Sequence, residues 1–288
     1  MIIIRTAAEL EAYTGRELQN GHSIGFVPTM GALHAGHLSL VEKAVQGNDV
    51  TVVSVFVNPT QFNNPTDLAT YPRDEEADIR LLAQAGVDVV FMPTVEEIYP
   101  GGLEGRERHE YALGTAAEVM EGKFRPGHFQ GVAEVVARLF ALVRPTRAYF
   151  GEKDFQQIAV IRNMVESEGI KVDIIACPIK RADDGLALSS RNALLSPEQR
   201  AVAPEIRKAL VDSLEYARNH SVQATHDTVV ERIDAVPGLE TEYFEIVDAR
   251  TLLPITEWDE APEVVGCITV YCGKVRLIDN ILYKTINK

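Results

Sequence analysis

Residues 24–40 read IGFVPTMGALHAGHLSL, and this stretch decides how the first part of the chain folds. The apolar run at 24–27 predicts a strand, and Pro28 and Gly31 predict the turn that ends it. The apolar spacing that begins at Leu38 predicts a helix directly after the turn. A strand that enters a helix through a glycine turn presents free backbone N–H groups and the positive end of a helix dipole to a phosphate.

Two histidines, His34 and His37, lie at the predicted start of this helix with Gly36 between them. They are three residues apart, so both imidazoles can point to the same side of the helix. The H-x-G-H spacing therefore predicts a site that binds the phosphates of a nucleotide. The alternative is that both are ordinary polar residues at a helix N-terminus, where polar side chains are favoured.

The composition is that of an acidic globular protein. Of 288 residues, 46% are hydrophobic and 24% are charged, which suits one large or two modest domains with a sizeable core. Lys and Arg number 28 and Asp and Glu number 42, so the formal net charge is −14. General nucleic-acid binding needs a basic face, so we expect small-molecule substrates and no nucleic-acid partner.

The cysteines and the apolar segments indicate a cytoplasmic protein. Cys177, Cys267 and Cys272 form no C-x-x-C pair and are odd in number, so neither a disulfide framework nor a zinc site is expected. We expect buried, reduced thiols instead. No stretch approaches the roughly 18 apolar residues of a membrane span, and the apolar run near the N-terminus is too short for a signal peptide.

Strand and helix patterns alternate through residues 1–182, which predicts an α/β domain with a Rossmann-like parallel sheet. Capping-box patterns at 6–9 and 94–97 predict two helix starts. The predicted strands are 24–27, 49–57, 87–93, 148–150 and 170–176, and the predicted helices are 38–46, 73–85, 132–143 and 156–168. In the third of these helices one apolar stripe predicts a face packed in the core, formed by Val132, Val135, Val136, Leu139, Phe140 and Val143.

Residues 183–288 have a different pattern and predict a smaller α+β domain. A polar loop is predicted at 183–192, and a capping box at 196–199 with Pro197 in the first turn predicts a helix. Helical patterns continue to the mid-230s. Three strands are predicted at 243–249, 267–272 and 275–283, with Gly273 in a hairpin turn.

Polar clusters follow the ends of the predicted strands, where ligands bind in open parallel sheets. They are NPTQF (58–62), RPGHF (125–129), GEKDFQQ (151–157) and LSSRN (188–192). Amides suit a small polar substrate, whereas a lysine at a helix start and a Ser-Ser-Arg loop suit phosphates. Each cluster has an ordinary alternative, such as an Asx turn, a solvated charged loop or a polar linker. Their recurrence at successive junctions favours one binding site.

The motifs PTMGALHAGH (28–37), NPTQF (58–62), RPGHFQGV (125–132), GEKDFQQ (151–157) and DGLALSSRN (184–192) together resemble the pantothenate synthetase family, the pantoate–β-alanine ligases. The resemblance runs essentially from end to end. It places the chain in the HIGH/KMSKS-type nucleotidyltransferase superfamily and implies a Rossmann-like domain, a C-terminal lid and a homodimer. It also implies that pantoate, β-alanine and MgATP give pantothenate, AMP and pyrophosphate through a pantoyl-adenylate.

The resemblance further implies roles for individual residues. His37, His34 and Lys153 are expected to be catalytic, and Gln61 is expected to contact β-alanine as well as pantoate. No Mg²⁺ ligand is identified, and residues 101–120 receive no role. The expected ATP-binding residues are Met30, Gly31, Ala32, Leu33, His34, Ala35, Gly36, His37, Gly151, Glu152, Lys153, Asp154, Lys180, Leu188, Ser189, Ser190 and Arg191. The expected pantoate-binding residues are Gln61, Gln157, Asn58, His128 and Arg125.

Three other activities share part of this pattern. A nucleotidyltransferase that acts on a phosphorylated acceptor would leave a stable nucleotidylated product and ignore β-alanine. A tRNA-charging enzyme fits poorly with the acidic charge and the lack of an anticodon-type segment. A non-catalytic ATP sensor would keep the glycine turns without needing Gln61, Gln157 and Lys153 together.

Overall fold

Six parallel strands form the larger sheet of the computed structural model, which describes residues 1–62, 65–105 and 109–284. The strands are β1 (Ile2–Ile4), β2 (Ile24–Thr29), β3 (Val50–Val55), β4 (Val89–Phe91), β5 (Arg147–Gly151) and β6 (Asp173–Cys177). Their spatial order is β1-β4-β3-β2-β5-β6, a Rossmann-like order with β1 added at one edge. The predicted α/β class is confirmed. Strand order reverses at β2 and β5, and ligands bind beyond the carboxyl ends of strands at such a point.

Helices cover both faces of this sheet. Phe26 and Val27 are adjacent on β2 and fully buried, but Phe26 packs in one core and Val27 in another on the opposite face, as the two-residue period of a strand requires. The helices before the second sheet are α1 (Ala7–Gln19), α2 (Ala35–Gly47), α3 (Pro65–Thr70), α4 (Glu75–Gln84), α5 (Val95–Ile98), α6 (Gly102–Gly105), α7 (Glu121–Phe124), α8 (His128–Val143), α9 (Phe155–Ser167), α10 (Pro197–Val202), α11 (Glu205–Ala217) and α12 (Val222–Asp234). Short 3₁₀ helices lie at Pro59–Gln61, Thr115–Ala117, Glu152–Asp154 and Ser190–Leu194.

The second sheet is antiparallel and has the order β7-β8-β9. Its strands are β7 (Leu239–Asp248), β8 (Val264–Cys272) and β9 (Val275–Lys284), so the predicted strands are confirmed. Gly273 has a φ of +59° in the turn between β8 and β9, a conformation that glycine adopts without strain.

This second sheet is packed on both faces. Val264 and Ile268 join the core formed with α11 and α12, whereas Val265 and Cys267 on the same strand join the core of the larger sheet. The smaller sheet is thus in direct contact with the part of the chain that carries the parallel strands. The division into domains 1–182 and 183–288 stays a prediction, and residues 285–288 lie outside the described part of the chain.

Local sequence rules predicted three helix starts at the right positions, and two of them have the predicted capping hydrogen bond. The Thr6 side chain accepts a hydrogen bond from the Glu9 backbone N–H, and Ser196 caps α10 with Gln199 completing the box. The box predicted at Thr94 is wrong, because Thr94 makes no capping hydrogen bond. Glu97 instead accepts a hydrogen bond from the backbone N–H of Ala7 at 2.6 Å, so a distant helix start takes the carboxylate that the local rule assigned to α5.

Two further features agree with the sequence expectations. Cys177, Cys267 and Cys272 are free and buried. Within the described ranges no helix combines the length and the apolar composition needed to cross a bilayer.

Candidate active site

A cavity lies at the carboxyl ends of β2 and β5, where the strand order reverses. Most of the residues that the sequence singled out line it. These are Met30, His34, Gly36, His37, Asn58, Gln61, Gly151, Lys153, Asp154, Gln157, Lys180, Leu188, Ser189, Ser190 and Arg191. The remaining predicted site residues do not line this cavity, namely Gly31, Ala32, Leu33, Ala35, Glu152, Arg125 and His128.

The two histidines close the start of α2 with their own side chains. His34 is the N-cap, and its Nδ1 accepts a hydrogen bond from Gly36 N at 3.0 Å. The Nδ1 of His37 accepts a hydrogen bond from His34 N at 3.3 Å. A neutral imidazole whose Nδ1 is an acceptor carries its proton on Nε2. Both rings therefore keep an Nε2–H donor that is not used by the cap, and their centroids are 4.2 Å apart.

The environment keeps both histidines neutral at pH 7. Burial lowers the pKa of His34 to about 4, with the positive charge of Lys153 contributing. Burial lowers the pKa of His37 to about 3, with His34 and Lys153 contributing. A neutral Nε2–H can donate a hydrogen bond to a phosphate oxygen, and the pair avoids bringing three positive charges together before the ligand binds.

A buried carboxylate binds the backbone just before the histidines. We call residues 30–37 the histidine loop. Asp78 in α4 is 2% exposed and accepts hydrogen bonds from Ala32 N at 3.0 Å and Leu33 N at 2.7 Å. Gly31 has a φ of +81°, and a Cβ at that position would lie 2.8 Å from Asp78 Oδ2. Glycine is therefore required where the loop passes over the carboxylate.

A second segment brings a cation to the cavity from β5. We call residues 151–154 the lysine turn; it runs from the end of β5 into the 3₁₀ helix Glu152–Asp154. Lys153 Nζ lies 3.2 Å from Asp154 Oδ1, and both side chains line the cavity. Asp154 is the only carboxylate that lines the cavity among the residues that the structure describes.

The third segment, residues 180–191, closes the cavity from the side of the smaller sheet, and we call it the serine loop. Leu188 N donates to Lys180 O at 3.0 Å, which folds the segment back on itself. Ser189 Oγ accepts from Arg191 N at 3.2 Å, and Ser190 Oγ lies 3.4 Å from the hydroxyl of Tyr71. Tyr71 lines the cavity and was missed in the sequence, where an isolated tyrosine in a polar stretch gives no signal.

The amide of Gln61 is oriented by its neighbours. Asn58 Nδ2 donates to Gln61 Oε1 at 3.2 Å and to Gly131 O at 3.2 Å. Gln61 Nε2 in turn donates to Met30 Sδ at 2.9 Å. A Cβ on Gly131 would lie 2.4 Å from Thr60 O, so this glycine lets α8 approach the 3₁₀ helix that carries Gln61.

Arg125 and His128 act on the same 3₁₀ helix from outside the cavity. His128 is 7% exposed, and its Nδ1 lies 2.8 Å from Gln61 O. Burial, together with the positive charge of Arg125, lowers the pKa of His128 to about 4, so its neutral Nδ1–H donates to that carbonyl. Arg125 in turn pairs with Glu121 at 3.5 Å.

One wall of the cavity is apolar. The stripe that the sequence assigned to the core also lines the cavity, through Val132, Val135, Val136 and Leu139 of α8. The sequence could not show that this helix face is shared between core and cavity, because both environments need apolar residues. A site with apolar and polar walls suits a substrate that carries both kinds of group.

Among the described residues, no group of three or more His, Cys, Asp or Glu side chains is arranged to hold a metal ion. The charged and polar lining of the cavity consists mainly of hydrogen-bond donors and cations, together with the carboxylate of Asp154. Two neutral imidazoles, two lysines, an arginine and two serine hydroxyls line one space, which suits a polyphosphate. The backbone N–H groups of Ala32, Leu33, His34 and Gly36 are not part of this set, because they donate to side chains of the protein.

Comparisons with known proteins agree with this geometry. The family model for pantoate-beta-alanine ligase matches residues 2–282. A pantothenate synthetase of Porphyromonas gingivalis is 54% identical over 284 residues, covering 99% of this chain and 100% of the relative. One of Bacteroides thetaiotaomicron is 53% identical over 286 residues, with 99% and 100% covered.

Two solved structures are similar over the whole length. The crystal structure of pantothenate synthetase from Thermus thermophilus has a TM-score of 0.91 and 47% identity, and 99% of this chain and 100% of that chain are covered. The pantoate-beta-alanine ligase from Francisella tularensis, complexed with β-γ ATP and β-alanine, has a TM-score of 0.78 and 38% identity, with 98% of each chain covered.

Proposed function

We infer the roles of the cavity residues from one premise: this chain belongs to the pantoate–β-alanine ligase family. It catalyses the ATP-dependent condensation of pantoate with β-alanine, and ATP is a substrate. We propose that the cavity between β2 and β5 is where this reaction takes place. The observation that carries the proposal is the convergence of His34, His37 and Lys153 on one space at the point where strand order reverses.

In the first step we propose that the pantoate carboxylate attacks the α-phosphate of ATP. A P–O bond to pantoate forms, the bond to the pyrophosphate breaks, and the bond electrons leave with pyrophosphate. A carboxylate needs no base to become a nucleophile. The protein therefore has to align the two substrates and stabilise the negative charge that develops on the phosphates.

The Nε2–H groups of His34 and His37 are proposed to donate to these phosphates, and Lys153 to neutralise them. The capping hydrogen bonds at both Nδ1 atoms support this assignment, because they place the free proton of each ring on Nε2. The serine loop supplies Ser189, Ser190 and Arg191 from the opposite side. The histidine loop and Lys180 complete the proposed ATP contacts.

Pantoate is proposed to lie between Gln61, Gln157 and the apolar face of α8. Its carbon with two methyl groups suits the apolar wall, and its hydroxyl groups suit the two amides. Arg125 and His128 are proposed to serve pantoate indirectly, by holding the backbone of Gln61. Asn58 has the same indirect role through the Gln61 amide.

In the second step the β-alanine amine attacks the acyl carbon of the pantoyl-adenylate. The neutral amine forms the C–N bond, the acyl C–O bond breaks, AMP leaves with that electron pair, and the proton lost by the nitrogen passes to water. We propose that β-alanine enters beside Gln61, where the acyl carbon of the bound intermediate would lie.

Mg²⁺ is proposed to arrive with ATP. It usually binds phosphate oxygens and waters together with one or two carboxylates. Asp154 suits this coordination because, in the described part of the chain, it is the carboxylate that lines the cavity, and it lies beside Lys153. Bound there, Mg²⁺ would neutralise phosphate charge, and Asp154 would hold it.

Four further expectations are kept as proposals. We propose a homodimer and a cytoplasmic location, on the family resemblance and the unpaired cysteines. The charge of −14 supports small-molecule partners and no nucleic acid. We also keep the division at 182/183, with the C-terminal part closing the cavity through the serine loop.

The test is exchange of labelled pyrophosphate into ATP. We expect exchange that requires pantoate and proceeds without β-alanine, because adenylation precedes the amine. Lys153→Met should lower the exchange rate at least tenfold, about 1.4 kcal/mol in the barrier. The matched control is Lys171→Met, an exposed lysine that does not line the cavity, which should keep the wild-type rate.

Exchange that needs β-alanine would rule out a free-standing adenylate. ATP binding measured by calorimetry with no exchange at all would favour the sensor. A Lys153→Met rate within twofold of wild type would remove Lys153 from the mechanism without touching the reaction itself.

A further inference from the structure

Two neighbouring residues of β9, Asp279 and Asn280, reach the lysine turn and the serine loop. Both are buried, with 6% and 9% of their surface exposed. Neither lines the cavity, and neither carries a sequence motif. They are buried polar residues in the middle of a strand, so their contacts need an explanation.

Asn280 holds the backbone of the lysine turn. Its Nδ2 donates to Glu152 O at 2.7 Å and to Lys153 O at 3.2 Å. The 3₁₀ helix Glu152–Asp154 has no side-chain cap of its own. The position of the Lys153 backbone is therefore set by a side chain that lies 127 residues further along the chain.

Asp279 holds the base of the serine loop. Its two carboxylate oxygens accept hydrogen bonds from Arg181 Nη1 at 2.7 Å and Nη2 at 2.8 Å, a two-bond geometry that fixes direction as well as distance. Arg181 Nη1 also donates to Gly185 O at 3.1 Å, and Arg181 pairs with Ala187 as a bridge. These contacts fix the position of Arg181, where the segment that leads to Ser189–Arg191 begins.

The strand that carries both residues is itself held in register. Asp279 lies opposite Ile268 and Asn280 opposite Cys267 on β8. The Cα atoms of adjacent residues are about 3.8 Å apart across a trans peptide, so both segments of the cavity wall are attached to nearly the same point of one sheet. Any shift of β9 moves both together.

We propose that Asp279 and Asn280 are positioning residues that set the distance between Lys153 and Ser189–Arg191. The smaller sheet then braces the phosphate site at a fixed spacing. This inference rests on the proposed roles of Lys153 and the serine loop. It goes beyond them because it makes the rate of adenylation depend on two residues of β9 that do not line the cavity.

The test is a double-mutant cycle read out by pantoate-dependent pyrophosphate exchange. Asn280→Ala should lower the exchange rate at least tenfold in the wild-type background. In a Lys153→Met background it should cost less than twofold, because Asn280 acts through Lys153. Asn280→Asp, which places an anion against two carbonyl oxygens in the same volume, should lose at least as much as Asn280→Ala.

The matched control is Leu277→Ala on the same strand. Leu277 is 6% exposed and packs in the core with α11 and α12, away from the cavity. It should lower the denaturant midpoint of unfolding at least as much as Asn280→Ala does, yet keep the exchange rate within twofold.

Three results would overturn the inference. One is an Asn280→Ala rate within twofold of wild type, and another is equal losses of rate in the Asn280 and Leu277 variants. The third is a double variant whose exchange rate falls by the product of the two single-variant factors, because Asn280 would then act independently of Lys153. Failure of the proposed function looks different, since wild-type protein would then show no pantoate-dependent exchange.

Discussion

Two buried carboxylates, Asp78 and Glu121, have different kinds of hydrogen-bond partner. Asp78 is 2% exposed and accepts hydrogen bonds from two backbone N–H groups of the histidine loop. Glu121 is 9% exposed and accepts hydrogen bonds from both Nη atoms of Arg276, from Tyr243 and from Arg125.

Their pKa values move in opposite directions. Burial raises the pKa of Asp78, and the N–H groups that it accepts from do not offset this. Burial would also raise the pKa of Glu121, but the hydrogen bonds and charge of Arg276, with Tyr243 and Arg125, lower it to about 2. Both carboxyls are removed from water, so the difference comes from the charge of their partners.

The comparison separates two uses of a buried acid. Glu121 stabilises the fold because it joins α7 to β9, 155 residues away. Asp78 shapes a loop with backbone conformations that cost free energy, including a φ of +51° at Ala32. Glu121 therefore contributes to the stability of the fold. Asp78 instead holds the histidine loop in a conformation that costs free energy, and so positions the histidines.

Removing the charge of Glu121 should have the largest effect. Glu121→Gln leaves the half-buried Arg276 and Arg125 without this anion, so the free energy of unfolding should fall by about 4 kcal/mol. The KM for pantoate should rise, because Arg125 and His128 hold Gln61, while the KM for ATP stays near wild type. Urea unfolding at pH 7 and steady-state kinetics measure both.

The control is Glu242→Gln, which also removes an anion from Arg276 but does not contact Arg125. It should destabilise the protein without raising the KM for pantoate. Equal kinetic effects in the two variants would refute the path from Glu121 to Gln61.

Acid should reveal the opposite pKa directions. The ordinary pKa of Glu is 4.5 and that of Glu121 is about 2, so its contribution is full above pH 4.5 and is lost as the pH falls towards 2. The loss amounts to about 3 kcal/mol. The raised pKa of Asp78 acts the other way, since its burial cost is relieved as it becomes protonated.

The measurement is the urea midpoint between pH 5.5 and 2.5. Glu121→Gln should flatten the acid loss of stability relative to wild type, and Asp78→Asn should steepen it. The lowered pKa values of His34 and His37 destabilise the fold from pH 6.5 downward in all three proteins, so they cancel in the comparison. His128 differs, because the charge of Glu121 acts to raise its pKa, and Glu121→Gln therefore lowers it further. If the urea midpoint changed with pH in the same way in all three proteins, the opposite pKa shifts of Glu121 and Asp78 would be contradicted.

The smallest stability effect is expected at Asp78. Asp78→Asn keeps one acceptor oxygen and leaves one of two buried N–H groups unpaired, which costs about 1.5 kcal/mol. Pyrophosphate exchange should nevertheless fall at least tenfold, because the histidine loop shifts. Asp74→Asn on the same helix is the control: it weakens the cap on Ala77 N and should leave the exchange rate unchanged.

Local patterns predicted the parts of the site that are local in sequence. His34 and His37 cap α2 through atoms two and three residues away, and such short-range contacts follow from helix geometry alone. The β-branched run 49–57 predicted a buried strand, and β3 occupies most of it. Strand β1 was not predicted, since three residues are too few for a period and its pairing with β4 is distant.

The residues that hold the site in place could not be predicted in this way. Asp78 lies 45 residues from Leu33, and Asn280 lies 128 residues from Glu152. An acid in a helix or an amide in a strand gives no sign of such a partner. The wrong capping box at Thr94 has the same cause, because Glu97 was taken by the distant Ala7 N–H.

The sequence by itself determined which groups we propose for phosphate binding: glycine turns at strand ends, two histidines at a helix start, a lysine and a Ser-Ser-Arg loop. These depend on backbone conformation and on neighbours within a few residues, which the sequence states directly. Only the tertiary structure decided their spacing, because Asp78, Glu121, Asp279 and Asn280 act across the fold. The hydrogen bonds that they make across the fold join residues at least 45 positions apart in the sequence.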